Sequence, residues 1–252
     1  MEATELCILM FSICASGTLI YSTAPLSTLS HFSQSFLMGC VVAGVTFLII
    51  RSPFGRRTGA HFNPALTLTY FFLGRIPRWG TIFYILSQFA GAVIGVFIAH
   101  EVIGERLATP PVCYVITLPG SYGRAVAYVV EFLLSGLLMG VILFTTNRVR
   151  LINLTPFLVA LITVFYYVFC SSLAGFSVNP ARSFSSALFA SVWRSVWIYF
   201  LGPTSGMLFA ALIYVRTAGG RAVYCAKVFH DLESSCPFRC RLAQLMSQEN
   251  VR

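Results

Sequence analysis

The amino-acid sequence predicts an all-α membrane protein in which six transmembrane helices and two re-entrant half-helices form an inverted repeat. Three observations predict this fold class. The 252-residue chain is too apolar for a soluble globule, its charge-poor intervals fit six crossings, and a short motif containing Asn-Pro-Ala occurs twice. Because both copies of the motif fall between predicted spans, we expect the functional residues at membrane depth.

The composition excludes most classes of soluble protein. Hydrophobic residues make up 57% of the chain and charged residues 10%, whereas soluble domains carry about 25% charged residues. So few charges cannot cover the surface of a cytosolic enzyme. The formal net charge of +9 would suggest a nucleic-acid partner in a soluble protein. In a membrane protein it reports topology instead, so we expect lipid and no nucleic acid around this chain.

Charge-poor intervals predict the number of transmembrane helices, because each helix needs about 20 apolar residues. No Asp, Glu, Lys or Arg lies between Glu5 and Arg51, which leaves room for two crossings joined by a turn within residues 22–33. Four further apolar stretches complete six spans: Trp79–Ala99, Ala125–Thr145, Pro156–Cys170 and Ser195–Val215. Glycines spaced four apart favour close helix packing, and three such pairs occur: Gly91 and Gly95, Gly136 and Gly140, Gly202 and Gly206.

The distribution of Lys and Arg predicts the orientation of the spans. Thirteen of the 17 fall on the side that holds the N-terminus, the loops after spans two and four, and the C-terminal tail. Because cytoplasmic loops collect positive charge, we expect a multi-pass protein of the cell membrane with both termini in the cytoplasm. Its channel domain is predicted at 1–215, with repeats at about 1–100 and 123–215, and its cytoplasmic tail at 216–252.

The repeated motif predicts the start of two short helices. Gly59–Ala65 and Gly175–Ala181 both have the pattern Gly-x-x-x-Asn-Pro-Ala. Asn is a preferred N-cap and Pro is favoured at the first helical position, so Asn63-Pro64-Ala65 and Asn179-Pro180-Ala181 each begin a helix. The first can run to about Leu73, which is roughly 16 Å or half of the ~30 Å hydrocarbon core. Two half-helices that enter from opposite faces would meet near the midplane.

The segments ahead of the two caps are predicted to line a pore. Non-helical backbone at membrane depth must be buried in protein or line water. Backbone carbonyls would form a ladder of acceptors, contributed by Gly59, Ala60, His61, Gly175 and Ser177. The side chain of His61 either faces this pore or packs behind it. The acids Glu5 and Glu131, each near the start of a span, are predicted to accept hydrogen bonds from loop amides, with proton relay as the alternative.

With these residues the sequence resembles the aquaporin family, also called major intrinsic proteins, in a bacterial-type form. The resemblance covers roughly residues 5–215 and rests on both Asn-Pro-Ala motifs, Gln88, Glu131 and Gly202-Pro203. It implies a homotetramer with one pore per subunit, and passive transport of water or small neutral solutes without a cofactor. The tail lies beyond it.

The resemblance also implies a second constriction, on the outer side of the paired asparagines. Family-typical offsets place Arg182, Phe176, Tyr167 and Ala43 there, and a one-residue slip in the counting would substitute Tyr166 or Gly44. Phe176 and a small Ala43 resemble glycerol facilitators. Bulky Tyr167 does not, and Ser183 stands where glycerol facilitators have Asp. The preference between water and glycerol therefore stays open.

The tail carries a group of metal-ligating residue types. Zinc is held tetrahedrally by Cys and His, and four candidates occur here: Cys225, His230, Cys236 and Cys240. Their spacing matches no standard zinc finger, so no metal is assigned. A reduced tail and acylation near the membrane are the alternatives.

Two functions remain for the whole chain. The first is a passive channel for water and small neutral solutes such as glycerol that excludes ions and protons. The second is a coupled secondary transporter on an inverted-repeat scaffold. Coupled transport needs several ionisable groups within spans, and Glu5 and Glu131 are the two that qualify. We expect no enzyme, because the spans hold no nucleophile with a neighbouring base and no metal cluster.

Overall fold

The computed structural model describes residues 1–219, 222–230 and 236–243, and these contain helices, turns and irregular segments but no β-strand. Arg221 and Arg252, which contribute to the predicted charge bias, lie outside the described residues, as do the other tail residues between and after these ranges. The helices in chain order are α1 (Glu2–Ser22), α2 (His31–Arg51), α3 (Pro53–Thr58), α4 (Pro64–Phe72), α5 (Arg78–Ile103), α6 (Glu105–Ala108), α7 (Gly123–Thr146), α8 (Thr155–Ala174), α9 (Pro180–Ala190) and α10 (Val196–Ala218). Short 3₁₀ turns occur at Leu26–Thr28 and Ile152–Leu154, and Cys113–Val115 forms a left-handed turn.

The six predicted spans are confirmed, since α1, α2, α5, α7, α8 and α10 are long and apolar enough to cross a membrane. Their ends follow local signals. The Ser30 side chain caps α2 by accepting from the Ser33 N–H, and α8 ends at Gly175 in the left-handed conformation. Six crossings place the start of α1 and the end of α10 on one side, which we call the terminal side. The opposite side is the far side.

The two half-helices are α4 and α9, with 9 and 11 residues. At about 1.5 Å per residue they reach roughly 14 and 16 Å, about half of a hydrocarbon core. Helix α4 ends at Phe72, one residue before the predicted Leu73, because Gly74 adopts a positive φ of 71° and Pro77 follows. Both half-helices begin directly after the predicted asparagines.

Each half-helix packs against helices of both halves of the molecule. Helix α1 packs along α5, α7 packs along α10, and α2 joins α8. Helix α9 of the second half packs against α5 of the first, while α4 packs against α10. Each half-helix therefore lies in contact with the opposite repeat, so that both N-termini reach one central region.

Glycines allow the closest of these helix contacts. A Cβ on Gly91 would lie 2.1 Å from the Ala3 carbonyl oxygen, and one on Gly206 would lie 2.1 Å from that of Phe132. These distances leave no room for any side chain, so α5 and α10 approach α1 and α7 at backbone contact. Gly140 differs, because a Cβ there would meet no atom within 4 Å. Of the predicted pair Gly136 and Gly140, only Gly136 therefore makes such a contact, which is with Gly206.

The described part of the tail packs against the terminal side of the bundle. Residues 222–230 and 236–241 form neither helix nor strand, yet Val223, Ala226, Val228 and Phe238 are buried in the main hydrophobic core. The Val228 N–H donates to the Gly59 carbonyl at 2.9 Å, and the Arg239 N–H donates to the Arg75 carbonyl at 3.1 Å. This segment is an integral part of the terminal side.

Candidate functional site

The two asparagines meet at the centre of the molecule. Asn63 Oδ1 accepts from the Ala65 N–H at 3.0 Å, and Asn179 Oδ1 accepts from the Ala181 N–H at 3.1 Å, so both cap their half-helices as predicted. Each amide nitrogen donates across to the other repeat. Asn63 Nδ2 lies 2.8 Å from the Val178 carbonyl oxygen, and Asn179 Nδ2 lies 2.7 Å from that of Phe62. The crossed hydrogen bonds fix the distance between the two helix N-termini.

Two buried carboxylates hold the loops ahead of the caps. Glu131 accepts from the backbone N–H groups of Ser177 and Val178, both at 2.7 Å. In the first half, Glu2 accepts from the N–H groups of His61 and Phe62 at 3.1 and 2.8 Å. These loops contain positive φ at Ala60, Phe62, Phe176 and Val178, so their amides cannot join a helix. The carboxylates satisfy amides that would otherwise be buried without a partner.

The prediction that pairs Glu5 with Glu131 requires a correction. Glu5 Oε1 accepts from the Thr58 hydroxyl at 2.6 Å, and Thr58 Oγ1 lies 3.2 Å from the Ala60 N–H. Glu5 therefore supports the loop through Thr58, while Glu2, one turn earlier, is the counterpart of Glu131. Gln88 completes this network, since its Nε2 donates to Glu2 at 2.6 Å and to Thr67 at 3.0 Å.

A cavity of about 90 Å³ adjoins the asparagines. At about 30 Å³ per water molecule in the liquid, it has room for a few water molecules. Apolar side chains form much of its wall, and its polar lining residues include Asn63, Asn179, Arg182, Thr46 and Thr163. The remaining lining residues are Leu9, Ile13, Val42, Phe62, Leu138, Val159, Tyr167, Phe176, Ser177 and Val178.

Three of the four predicted constriction residues lie together on this cavity. Arg182, Tyr167 and Phe176 all line it, and the two aromatic rings meet edge to face with centroids 4.8 Å apart. Arg182 is 4% exposed, and its Nη1 has no hydrogen-bond partner among the residues that the structure describes. Arg182 therefore brings a positive charge to the wall of the cavity.

Ala43 does not join this group. It is buried in α2, and Val42 is the residue of that turn that lines the cavity, followed one turn later by Thr46. Counting back from Asn63 without gaps therefore gives Ala43, which is the neighbour of the residue that lines the cavity. The alternatives from a slip, Gly44 and Tyr166, are also absent from the lining. Tyr166 instead donates to the Leu134 carbonyl at 2.7 Å.

Ser183 follows Arg182 and contacts two other hydroxyl groups. Its Oγ lies 2.5 Å from Ser177 Oγ and 2.6 Å from Thr117 Oγ1. Ser177 also lines the cavity, as predicted, and its hydroxyl donates to the Asn179 carbonyl at 2.9 Å. Gly175 is not among the lining residues, and a Cβ there would lie 2.8 Å from the Leu118 carbonyl oxygen. Gly175 serves as the tight turn after α8.

The predicted carbonyl ladder of Gly59, Ala60 and His61 is not on the cavity. The tail packs against these three residues instead. The Val228 N–H donates to the Gly59 carbonyl, and Ala60 and His61 are each 1% exposed. His61 packs, with its Nε2 donating to the Ala226 carbonyl at 2.7 Å and its ring stacked between Tyr70 and Phe238. Nothing in the local sequence around His61 signals this contact, which joins residues 165 positions apart.

The four candidate metal ligands come together in the tail. The ligand atoms of Cys225, His230, Cys236 and Cys240 all lie within 4.8 Å of one another. Cys225 Sγ is 3.4 Å from Cys236 Sγ, and Cys240 Sγ is 3.3 Å from His230 Nε2. Hydrogen bonds from the Cys225 and Cys236 thiols hold the pKa of Cys240 well below its usual range.

Comparison with known proteins agrees with this geometry. A probable aquaporin NIP-type of Nicotiana alata is 33% identical over 177 residues, which cover 69% of this chain and 63% of the relative. Aquaporin NIP1-4 of Oryza sativa subsp. japonica is 34% identical over 170 residues, which cover 66% and 60%. The chain thus spans about six tenths of the length of these plant relatives.

The fold itself has a solved counterpart. The X-ray structure of the aquaglyceroporin from Plasmodium falciparum superposes with a TM-score of 0.70 at 15% identity, and the match covers 88% of this chain and 96% of that one. The sequence profile of the family described as Major intrinsic protein matches residues 3–214. The chain belongs to the major intrinsic protein family.

Proposed function

We propose that this protein is a passive transmembrane channel for water and small neutral solutes of about the size of glycerol, and that it excludes ions and protons. The observation that carries the proposal is the crossed pair of asparagines beside the cavity. Their half-helices direct two N-termini, each equivalent to roughly half a positive charge, at one place. A cation is disfavoured there, whereas a neutral solute that accepts hydrogen bonds is not.

The wall of the cavity supports a neutral substrate. Tyr167 and Phe176 offer apolar faces, and the Arg182 side chain brings hydrogen-bond donors to the same cavity. Removing a solute from water requires replacement hydrogen bonds, and Arg182 with the asparagines supplies a few. Two of the relatives are named aquaporins and the structural counterpart an aquaglyceroporin, so both water and glycerol are candidate solutes.

The alternative, a coupled secondary transporter, lacks a relay in the described residues. Glu2 and Glu131 are occupied by loop amides, and Glu5 accepts from Thr58. None of these acids lines the cavity. Coupling by protonation would need a carboxylate on the transport path, so the arrangement favours the passive channel.

Light scattering from proteoliposomes tests the proposal. Vesicles containing the protein should swell faster than empty vesicles under a water gradient, and swelling in glycerol should establish the solute preference. Transport that depends on a proton or sodium gradient would contradict a passive channel and favour the coupled transporter.

Assembly and placement are part of the same proposal. Family membership supports a homotetramer with a pore in each subunit, embedded in lipid, and the excess of Lys and Arg on the terminal side supports cytoplasmic termini in a cell membrane. Chemical cross-linking in membranes should yield a ladder up to four subunits. Protease cleavage of the tail from the cytoplasmic side alone would establish the orientation.

A further inference from the structure

We propose that Cys225, His230, Cys236 and Cys240 bind one zinc ion, and that this ion holds the tail in place as a plug on the terminal side of the pore. The metal site stands by itself, whereas the plug rests on the proposed channel function. The four ligands lie in the tail, beyond residue 214, where the match to the family ends.

The distances fit a tetrahedral site. Zinc lies about 2.3 Å from Cys sulfur and about 2.0–2.1 Å from His nitrogen, so the edges of a tetrahedron of three sulfurs and one nitrogen measure roughly 3.6–3.8 Å. The two measured edges are 3.4 and 3.3 Å, and no pair of ligand atoms exceeds 4.8 Å. Three Cys and one His form a common ligand set of structural zinc sites, which have no open position.

A backbone donor beside one of the sulfurs supports a charged, metal-bound form. The Leu242 N–H, two residues after Cys240, lies 3.5 Å from Cys240 Sγ. Such donors stabilise the negative charge of a thiolate, which is the form that binds metal. They also orient the ligands from outside the coordination sphere.

A metal explains how an irregular segment becomes part of the core. Residues 222–230 and 236–241 lack helix and strand, so no regular hydrogen-bond pattern of their own offsets the entropy cost of ordering them. Even so, Phe238 stacks on His61, and the fully buried Lys227 donates from its Nζ to the Arg56 carbonyl. A four-ligand cross-link supplies the missing free energy, as in small domains that fold only with metal.

The position of the site connects it to transport. Ala226, directly after Cys225, accepts from His61, and His61 precedes Phe62, whose carbonyl accepts from Asn179. With the tail seated, the loop of Gly59, Ala60 and His61 is covered on the terminal side. We therefore expect the zinc-bound form to conduct slowly and the zinc-free form to conduct faster. The increase should be about tenfold if zinc stabilises the tail against the bundle by about 1.4 kcal/mol.

Metal content is the first test, and it does not depend on transport. Full-length protein purified under reducing conditions without chelator should hold about one zinc per chain by elemental analysis. Cys236→Ser combined with Cys240→Ser should remove it, whereas Cys40→Ser, an exposed cysteine of α2, should not. Because the double variant could misfold, His230→Cys provides a rescue: a Cys₄ site should keep the zinc that His230→Ala loses. Metal-free reduced parent protein, or a Cys225–Cys236 disulfide in place of zinc, would overturn the site.

Permeability is the second test. Stopped-flow swelling of proteoliposomes compares the parent with added zinc, the parent after chelation, and the Cys236→Ser, Cys240→Ser variant. Faster swelling after chelation and in the variant supports the plug. Zinc-bound and zinc-free proteins that swell at equal, high rates overturn the plug and leave both the site and the channel standing. Slow swelling in every form, including a chain truncated after Gly219, overturns the channel instead.

Discussion

Glu2 and Glu131 perform the same task in the two halves of the molecule. Each accepts two consecutive backbone N–H groups from the loop ahead of an Asn-Pro-Ala helix, with all four distances between 2.7 and 3.1 Å. They approach from α1 and α7, the first helices of the two repeats. The duplication therefore includes the support of the loops ahead of the two caps as well as the motif itself.

Replacing Glu131 with Gln should destabilise the loop before Asn179. A Gln side chain keeps one oxygen, and its NH₂ would face the Ser177 or Val178 N–H, so one buried donor loses its partner. Such a loss costs about 1–3 kcal/mol. Thermal unfolding in detergent should show a lower midpoint for Glu131→Gln and for Glu2→Gln. Glu101→Gln, at an exposed position of α5, is the control, and an equal midpoint for all three variants would contradict the role.

Local sequence signals were sufficient for much of the fold and part of the site. Apolar length predicted the six spans, and the capping preferences of Asn and Pro predicted both half-helices. Glu2 was missed because pairing each acid with a loop depends on how helices pack, and Glu5 lies only one turn away. Val42 was missed because a fixed offset from Asn63 assumes equal loop lengths. The contact between Ala226 and His61 has no periodic signal, since an irregular segment makes it.

Replacing both asparagines with Ala should impair conduction. Asn63→Ala with Asn179→Ala removes two N-caps, worth about 1 kcal/mol each, and also the crossed bonds that fix the two helix N-termini. Osmotic swelling should fall towards that of empty vesicles, with reduced thermal stability. A well-folded double variant that swells at a near-normal rate would contradict the pore assignment.

Gly206 should tolerate no side chain. Its Cβ would lie 2.1 Å from the Phe132 carbonyl oxygen, so Gly206→Ala must push α7 and α10 apart, and overpacking of this kind costs about 1–3 kcal/mol or more. Gly140→Ala is the matched control in α7, because nothing lies within 4 Å of its Cβ. Size-exclusion profiles after heating should separate the two variants. Equal heat resistance would contradict backbone contact at Gly206.

Removing the tail should leave a conducting core. Helix α10 ends at Ala218, so truncation after Gly219 spares the bundle, both motifs and the cavity. Without Ala226 and Phe238, the His61 loop faces solvent. We expect swelling at least as fast as that of the parent. A truncated chain that is folded by circular dichroism yet conducts less than the parent would show that the tail is part of the conducting structure.

Ion exclusion should depend on Arg182 together with Phe176. Arg182 places a full charge at the cavity, and charges act strongly there only while bulk water is excluded. Arg182→Val should keep water permeability but weaken the exclusion of cations, protons included. Adding Phe176→Ala removes one of the two rings that narrow the cavity, so the double variant should leak more than either single variant. Current under a pH or potassium gradient, measured beside the swelling rate in the same vesicles, provides the test. If the double variant conducts water and its ion current is as low as that of the parent, ion exclusion depends on the asparagines and the half-helix N-termini instead.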